Sequence, residues 1–398
     1  MRIVALLLLG AALVAAEQTV YYRRVLAPLP AGCTVYGERT LCRVADGAVL
    51  PAADADAVAA ADTPVHATRA DTVAVVGSGA ARARAVALSW GQDRVDQRSL
   101  PLSGTYTPDR TGNGATVWVV GSGVDVSAPQ LAGRVTNPFT TTGSATDCHG
   151  SGTKAAVTAA GSSYGIATAA LVRGIKVLNC NGDGSSGELV DGLAYVLANL
   201  AARNVVLVTV SYIGRNSAVE NAIADLQAAG ATVVAGAGDQ GTSACNFFPG
   251  AQTGVLSATS TSPSDARYSL ANYGSCVSMF APGRDITTQT LGGVVVNATG
   301  TALAAAEVAG AAAMVLQGNP SWNGTQVAAH LLGRATQNVV SSAKSTPNLL
   351  LFVLQTTNPP QPTAPPSTST TSTTSSPALA ICAAVWLLIV LTALVMVA

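Results

Sequence analysis

The chain has 398 residues, of which 49% are hydrophobic and 11% are charged, and its formal net charge is zero. A neutral chain without basic clusters argues against nucleic acid as a partner. Its three histidines, His66, His149 and His330, are too few for a metal site built on several histidines, and we expect neither a metal nor a cofactor.

Residues 1–16 have the pattern of a signal peptide. Arg2 precedes a short apolar run that ends in Val14-Ala15-Ala16, a small-residue cleavage pattern, so the mature chain would begin near Glu17. The run is short for a membrane anchor, which needs about 20 apolar residues. The Ala- and Asp-rich region 17–85 that follows is predicted by its position to be propeptide-like.

Between residues 86 and 355, apolar runs alternate with Ala-rich stretches. The runs 117–120, 171–177, 205–211 and 232–237 predict strands, and the stretches 188–202 and 218–229 predict helices. A further buried helix is predicted within 297–316, entered through the turn Thr299-Gly300-Thr301. This alternation predicts an α/β fold with a mostly parallel sheet, helices on both faces and functional residues at the carboxyl ends of the strands.

Several motifs in this region occur together in a fixed order. They are the leading segment SWGQDRVDQR at residues 89–98, then GIKVLNCNGDGSSG, VVAGAG, SACNFFPG, NYGSCVSMFAPG and GTALAAAEVAG. From about Trp90 to Leu351 the chain resembles the proteinase K branch of the subtilisin-like serine proteases. The resemblance implies the subtilisin-like three-layer fold, with a mostly parallel central sheet and helices on both faces.

Four positions carry the chemistry of this family, and the resemblance places them at Gly121, Ser151, Ala302 and Asp239. The orienting carboxylate of the D-T-G motif falls on Gly121, and the base of the G-H-G-T-H motif falls on Ser151. The nucleophile of the G-T-S-M-A motif falls on Ala302, whose methyl group cannot attack a carbonyl. Asp239 replaces the asparagine that usually stabilises the oxyanion. The resemblance therefore implies a protease scaffold in which no triad position is intact.

Nearby polar residues are poor substitutes. His149 lies two residues before Ser151, and a displacement of that size at a helix start moves a side chain by several ångströms. We therefore expect His149 to be a polar loop residue out of reach of position 302. Thr299 and Thr301 are expected to stabilise the turn, and Asp125 is expected to have no catalytic role.

The substrate-binding edge of the family, S-L-G-G, reads Ser211-Tyr212-Ile213-Gly214 here. Ile213 places a branched side chain where glycine leaves room for substrate. Two outcomes stay open: an extended peptide still docks by strand addition, or the cleft is narrowed. Ser278 stands where relatives often carry an aspartate that binds calcium, so no strong calcium site is expected there.

Cysteines and sequons agree with export. Outside the C-terminal tail there are six cysteines, which predict three disulfides; pairing neighbours in sequence gives Cys33–Cys42, Cys148–Cys180 and Cys245–Cys276. The sequons at Asn297 and Asn323 predict N-glycosylation. A glycan on Asn297 would crowd the former active site; the alternative there is a buried, unmodified asparagine.

Residues 356–377 form a Ser/Thr/Pro-rich stalk, and residues 378–398 are apolar to the last position. A polar spacer followed by an apolar tail is typical of a GPI-attachment signal, with the attachment residue among 367–376. A membrane-spanning tail is the alternative, although no basic residue follows it.

The sequence therefore predicts a catalytically inactive protease homologue at the cell surface that binds peptides or proteins. One alternative is residual endopeptidase activity through His149 and a threonine, and another is a coat protein without a specific ligand. An inactive chain would not remove its own N-terminal region, although Arg82 and Arg84 offer a site to another protease.

Overall fold

The computed structural model describes residues 88–354 in full and, before them, the backbone of short strands between residues 17 and 75. The predicted signal peptide, stalk and C-terminal tail lie outside the described residues. The same holds for the side chains of Cys33 and Cys42, although the backbone register sets these two residues opposite each other.

The described residues form six α-helices, of which the third, fourth and fifth correspond to the predicted stretches 188–202, 218–229 and 297–316. They are α1 (Trp90–Val95), α2 (Ser151–Ala160), α3 (Ser186–Ala198), α4 (Ser217–Ala228), α5 (Thr301–Gly318) and α6 (Gly324–Arg334). Three of them begin at a residue whose side chain accepts a backbone N–H of the first turn, Ser185, Asn216 and Asn323. Helix α5 is long and apolar enough to cross a membrane, but 89% of its apolar window is buried, as in a core helix.

The predicted apolar runs form strands in the structure, together with further strands along the chain. They are β1 (Glu17–Tyr22), β2 (Cys33–Tyr36), β3 (Arg39–Ala45), β4 (Ala59–Ala60), β5 (Pro64–Ala67), β6 (Ala74–Val75), β7 (Thr116–Gly121), β8 (Val135–Thr140), β9 (Leu171–Lys176), β10 (Asp183–Ser185), β11 (Asn204–Val208), β12 (Val210–Ile213), β13 (Thr232–Gly236), β14 (Phe247–Phe248), β15 (Leu256–Thr261), β16 (Met279–Pro282), β17 (Ile286–Gln289), β18 (Val295–Ala298), β19 (Thr336–Gln337) and β20 (Leu349–Leu350). The predicted run 205–211 is divided at Thr209, where the chain leaves β11 and enters β12 in a different sheet.

The central sheet has nine strands in the order β19-β20-β16-β15-β13-β11-β7-β9-β8. All neighbours are parallel except the edge pair β19–β20. Strands β7, β11 and β13 lie side by side in its middle, so their carboxyl ends open at one place. This confirms the predicted, mostly parallel α/β sheet.

Alternate residues of the central strands face two separate cores. Val117 and Val119 join a cluster with the Ala-rich helices α2 and α5. Trp118 and Val120 join a second cluster with α3 and α4. Because strand side chains alternate between faces, one apolar run supplies both cores. The result is the predicted three-layer arrangement, and burial of these runs is the main stabilising contribution.

Disulfides fix two loops near the carboxyl edge of the sheet. Cys148–Cys180 has a Cα separation of 4.9 Å and Cys245–Cys276 one of 5.1 Å. Both pairs join neighbours in sequence, as predicted. The third pairing, Cys33–Cys42, stays a prediction.

Candidate functional site

The four positions singled out in the sequence lie at the carboxyl ends of central strands and at two helix starts. Gly121 ends β7, and Asp239 follows β13 by three residues. Ser151 is the first residue of α2, and Ala302 is the second residue of α5. Asp239 and Ala302 lie in one cluster at the start of α5 and Ser151 lies in another at the start of α2, whereas Gly121 packs against Thr209.

At the start of α5, buried polar groups hydrogen-bond to one another. The Thr301 N–H donates to Asp239 Oδ1 at 2.9 Å, and the Thr301 hydroxyl donates to Oδ2 at 3.1 Å. The Gly238 N–H donates to the same hydroxyl at 3.0 Å. Ala302 beside them is 8% exposed and contributes a methyl group. The carboxylate of Asp239 thus occupies a helix N-terminus, where negative charge is favoured and where an external anion would otherwise be stabilised.

The side chain of Thr209 packs directly against Gly121. A Cβ added to Gly121 would lie 2.0 Å from the Thr209 hydroxyl. That hydroxyl donates to the Val120 carbonyl at 3.1 Å, so it is held in place. The space next to β7 is therefore filled by Thr209, and any side chain at position 121 would have to displace it.

At the start of α2, three side chains form a hydrogen-bonded chain. Ser122 Oγ accepts the Gly152 N–H at 2.9 Å and lies 3.0 Å from Ser151 Oγ. Ser151 Oγ lies 2.9 Å from His149 Nδ1. His149 lies in the loop before α2, and its imidazole contacts the hydroxyl that stands at the family's base position, a contact that the sequence did not predict.

Nearby charges bear on the protonation of His149. Burial lowers the pKa of His149, and the cations Lys154 and Lys176 lower it further, whereas Asp147 and Asp183 act in the opposite direction. The ring is therefore neutral at physiological pH and able to accept a proton at a ring nitrogen.

The hydrogen bonds of Asp147 go to backbone N–H groups and to Thr153 and not to the His149 ring. Its Oδ1 accepts the backbone N–H groups of His149 and Gly150, each at 2.9 Å. Its Oδ2 accepts the N–H and the hydroxyl of Thr153, at 2.9 and 2.6 Å. The carboxylate therefore shapes the loop before α2. The ring itself packs against Gly182, where an added Cβ would lie 2.8 Å from Nε2.

Two buried lysines lie in the same region. Lys176 Nζ donates to the carbonyls of Ser122 at 3.0 Å and Leu178 at 2.7 Å, which holds the chain after β7 in place. Burial lowers the pKa of both Lys176 and Lys154. Lys176 was not singled out in the sequence, where its burial gave no signal.

A groove beside these clusters holds part of the chain. Strand β5 lies between β10 and β12 and is antiparallel to both. The register pairs His66 with Asp183 on one side and with Ser211 on the other. Ile213, which was predicted to crowd this cleft, is 71% exposed. The space between β10 and β12 thus holds one extended strand of the chain itself, and docking of an external peptide stays a prediction.

The remaining polar positions have structural contacts. Thr299 Oγ1 accepts the Asp285 N–H at 2.9 Å, which supports its predicted role in the turn, as does the Thr301 bonding. Asp125 binds the N–H groups of Ser127 and Gly292, each through one oxygen. Burial alone would raise the pKa of Asp125, but these hydrogen bonds lower it below its usual value.

The two asparagines predicted to be glycosylated, and Ser278, at which no calcium site was expected, lie in different surroundings. Asn323 is exposed and caps α6. Asn297 is partly exposed on β18, which is paired with β17 and β6, and its Oδ1 accepts the Thr287 hydroxyl at 3.0 Å. Ser278 Oγ accepts the Ser257 N–H at 3.0 Å. Glycosylation at both asparagines stays a prediction.

Sequence reasoning missed Glu307, a buried carboxyl group within α5. Its exposed fraction is 1%, its Oε2 has no hydrogen-bond partner, and burial raises its pKa well above the usual value. A Cβ added to Gly91 would lie 2.1 Å from Glu307 Oε1, so the carboxyl packs tightly against α1. A lone acidic residue in an otherwise apolar helix was the available signal.

Comparisons with known proteins show that the chain is similar to serine proteinases. Residues 112–352 match the model of the Subtilase family. The chain is 39% identical to an extracellular serine proteinase of Thermus sp. (strain Rt41A), over 66% of each chain. It is 35% identical to alkaline serine exoprotease A of Vibrio alginolyticus, over 67% of this chain and 50% of that one. It is 32% identical to proteinase R of Parengyodontium album, over 68% of this chain and 65% of that one.

A solved structure agrees. A cold adapted subtilisin-like serine proteinase superposes with a TM-score of 0.65 at 34% identity, covering 67% of this chain and 98% of the other. The chain spans between one half and just under two thirds of the length of the three sequence relatives above.

Proposed function

The chain belongs to the subtilase family, and we propose that within this family it is a catalytically inactive homologue that binds extended peptide or protein segments at the cell surface. The proposal has two parts, loss of peptide hydrolysis and retention of a strand-binding groove. Each part rests on a different set of contacts.

Loss of hydrolysis is supported by the cluster at the start of α5. Ala302 has no attacking oxygen, and the carboxylate of Asp239 already binds the helix terminus. Peptide hydrolysis also needs donors for the oxyanion and a base oriented by a carboxylate. The described contacts of Asp147 are directed to backbone and to Thr153, and Gly121 supplies no carboxylate.

Retention of binding is supported by β5, the observation on which the proposal rests. A segment of the chain is paired on both sides within the groove, through backbone hydrogen bonds that need no particular side chain. Any extended segment of suitable length presents the same donors and acceptors. We therefore propose extended peptides or exposed strands of other proteins as ligands.

A caseinolysis assay tests the first part. The full chain is incubated with fluorescently labelled casein, with an active subtilase as the positive control, and no release of fluorescent peptides is expected. Turnover by the wild type that disappears in His149→Ala would contradict the proposal. That outcome would instead support residual endopeptidase activity with His149 as the base, the second candidate function.

A peptide-binding assay tests the second part. The double substitution Val65→Pro and His66→Pro removes two backbone donors of β5, and should free the groove for a synthetic peptide of residues 62–69. The probe is that peptide with a fluorophore, measured by anisotropy, and binding is expected in the variant and weak in the wild type. A peptide with the same side chains but N-methylated backbone amides is the matched control. Equal binding of both peptides would refute strand addition.

Display at the cell surface is proposed from the tail sequence, and its test is direct. If a GPI anchor holds the protein, phosphatidylinositol-specific phospholipase C should release it from intact cells. Retention after this treatment, with release by detergent, would favour the membrane-spanning alternative. The mass of the released chain also reports whether region 17–85 has been removed at Arg82 or Arg84.

A further inference from the structure

We infer that Ser151 is an acyl-accepting serine, with His149 as its base, that reacts with activated esters. This reaction lies outside the family's own nucleophile position, which holds Ala302 here. It is independent of the proposed peptide binding, since it uses a different set of atoms.

Geometry carries the inference. A serine and a histidine act as nucleophile and base when their heavy atoms are about 2.6–3.2 Å apart. Ser151 Oγ and His149 Nδ1 are 2.9 Å apart. Ser122 Oγ accepts the Gly152 N–H and lies 3.0 Å from Ser151 Oγ. The Ser122 hydroxyl can therefore donate to Ser151 Oγ while the Ser151 hydroxyl donates to His149 Nδ1.

Local charge favours an ionised serine. Ser151 is the first residue of α2, so its oxygen lies at the positive end of the helix. The cations Lys154 and Lys176 act electrostatically on the neighbouring His149. Both features stabilise negative charge on Ser151 Oγ or on an acyl oxygen bound to it.

Access sets the class of substrate. Ser151 is 7% exposed, whereas His149 is exposed, so a reagent reaches the hydroxyl from the side of the imidazole ring. Because so little of Ser151 is exposed, we expect only small acyl groups to react. An ester with a good leaving group also needs no acid to protonate that group, which an amide does need. The site is therefore suited to esters such as p-nitrophenyl acetate and not to peptide bonds.

The reaction has two steps, acylation of Ser151 and hydrolysis of the acyl group. Ser151 Oγ attacks the carbonyl carbon of p-nitrophenyl acetate, and its proton passes to His149 Nδ1. The new Oγ–C bond forms as the bond from carbon to p-nitrophenolate breaks, and His149 returns its proton to solvent. Water then hydrolyses acetyl-Ser151 to acetate, with the same histidine as base, in a slower second step.

Burst kinetics and mass spectrometry test the inference on the full chain. One equivalent of p-nitrophenolate should appear in a burst, and the acetyl group should map to the peptide that contains Ser151. Ser151→Ala should abolish both, and His149→Asn should slow the burst about a hundredfold, since a general base contributes roughly 10²–10⁴ in rate.

Ser127→Ala is the matched control and should leave the burst unchanged. The Ser127 hydroxyl is exposed, but it donates to a carboxylate oxygen, Asp125 Oδ1, instead of an imidazole.

The pH profile separates a base from a structural contact. The burst rate should rise with pH as His149 loses its proton and should reach a plateau below the usual histidine range, since burial lowers the His149 pKa. The groups that face the ring and set this profile are Asp147, Lys154, Lys176 and Asp183. Acetylation confined to lysines or tyrosines would overturn the inference, and so would an equal burst in wild type and His149→Asn. Because His149 is exposed in the wild type, His149→Asn should fold normally, and thermal melting of this variant verifies that it does.

Discussion

The N-termini of α2 and α5 both lie at the carboxyl edge of the central sheet, yet their polar groups are arranged differently. At α5 the hydroxyl of Thr301 is fully buried and ends on the carboxylate of Asp239. At α2 the hydroxyl of Ser151 ends on the exposed imidazole of His149. A buried hydroxyl that donates to a fixed carboxylate is a structural contact, whereas one that faces a neutral imidazole can lose its proton.

This difference shows that two helix starts at the same edge of a sheet can carry hydrogen-bonded clusters of different chemistry. Around Gly121 and Ala302 the remaining polar atoms hydrogen-bond to one another, as expected because a buried group without a partner costs about 1–3 kcal/mol. These hydrogen bonds thus stabilise the start of α5 without a ligand. The predictions below test whether the α5 cluster is truly closed and the α2 cluster truly reactive, starting with the largest effect.

Gly121→Asp should destabilise the protein by about 3 kcal/mol. The new side chain meets the Thr209 hydroxyl, which would be 2.0 Å from its Cβ, and it buries a charge. Urea unfolding measures the loss, and the second substitution Thr209→Ala should recover part of it. Gly333→Asp, at an exposed helix glycine with open space around it, is the control and should change stability by less than about 0.5 kcal/mol. A neutral result for Gly121→Asp would mean that the carboxylate position is still open.

Ala302→Ser should not create a reactive hydroxyl. In residues 88–354 the two histidines are engaged elsewhere, His149 with Ser151 and His330 with the ring of Trp322. A fluorophosphonate probe should therefore label Ser151 and react at position 302 at least about a hundredfold more slowly. The double variant Ala302→Ser with Ser151→Ala should remain unlabelled. Rapid labelling at position 302 would show that the α5 cluster retains an activated base.

Glu307→Gln should remove a pH dependence of stability. The pKa of Glu307 is raised in the folded protein, so the folded chain holds a proton that the unfolded chain has already lost. Stability is then fully present below the usual carboxyl pKa and falls as pH rises toward the folded pKa, by about 1.4 kcal/mol for each pH unit in that interval. Urea unfolding as a function of pH should show this slope in the wild type and a flatter curve in the variant. Parallel curves would place the effect on another group.

Much of the fold could be predicted from sequence because strand and helix periods are local. The run 117–120 falls within β7, the run 232–237 covers β13 and one residue more, and the family motifs gave their order. The same reasoning gave two disulfides correctly. It could not predict that the run 205–211 divides at Thr209, because this depends on the bond between Thr209 and the neighbouring strand.

The site was predicted in position but not in chemistry. Alignment with the family motif located Ser151 and Ala302, yet it treated His149 as misplaced relative to position 302. The actual partner of His149 is Ser151 itself, two residues away, and that contact depends on the turn at Gly150 and on the packing against Gly182. The side-chain direction at a helix start is a tertiary property and is not encoded in residue spacing.

Gly182→Ala should give the smallest effect and isolates the support of His149. Gly182 has φ +85°, and an added Cβ would lie 2.8 Å from His149 Nε2, so the ring must move. Gly104→Ala is a matched control, since Gly104 has φ +79° but open space around it. Both variants should lose about 1 kcal/mol of stability from the left-handed backbone. Only Gly182→Ala should slow acylation of Ser151, by roughly fivefold, because a displaced base loses its alignment with the hydroxyl. If both variants acylate at the wild-type rate, packing against Gly182 does not position the imidazole, and the α2 cluster differs from the α5 cluster only in its residues and not in how they are held.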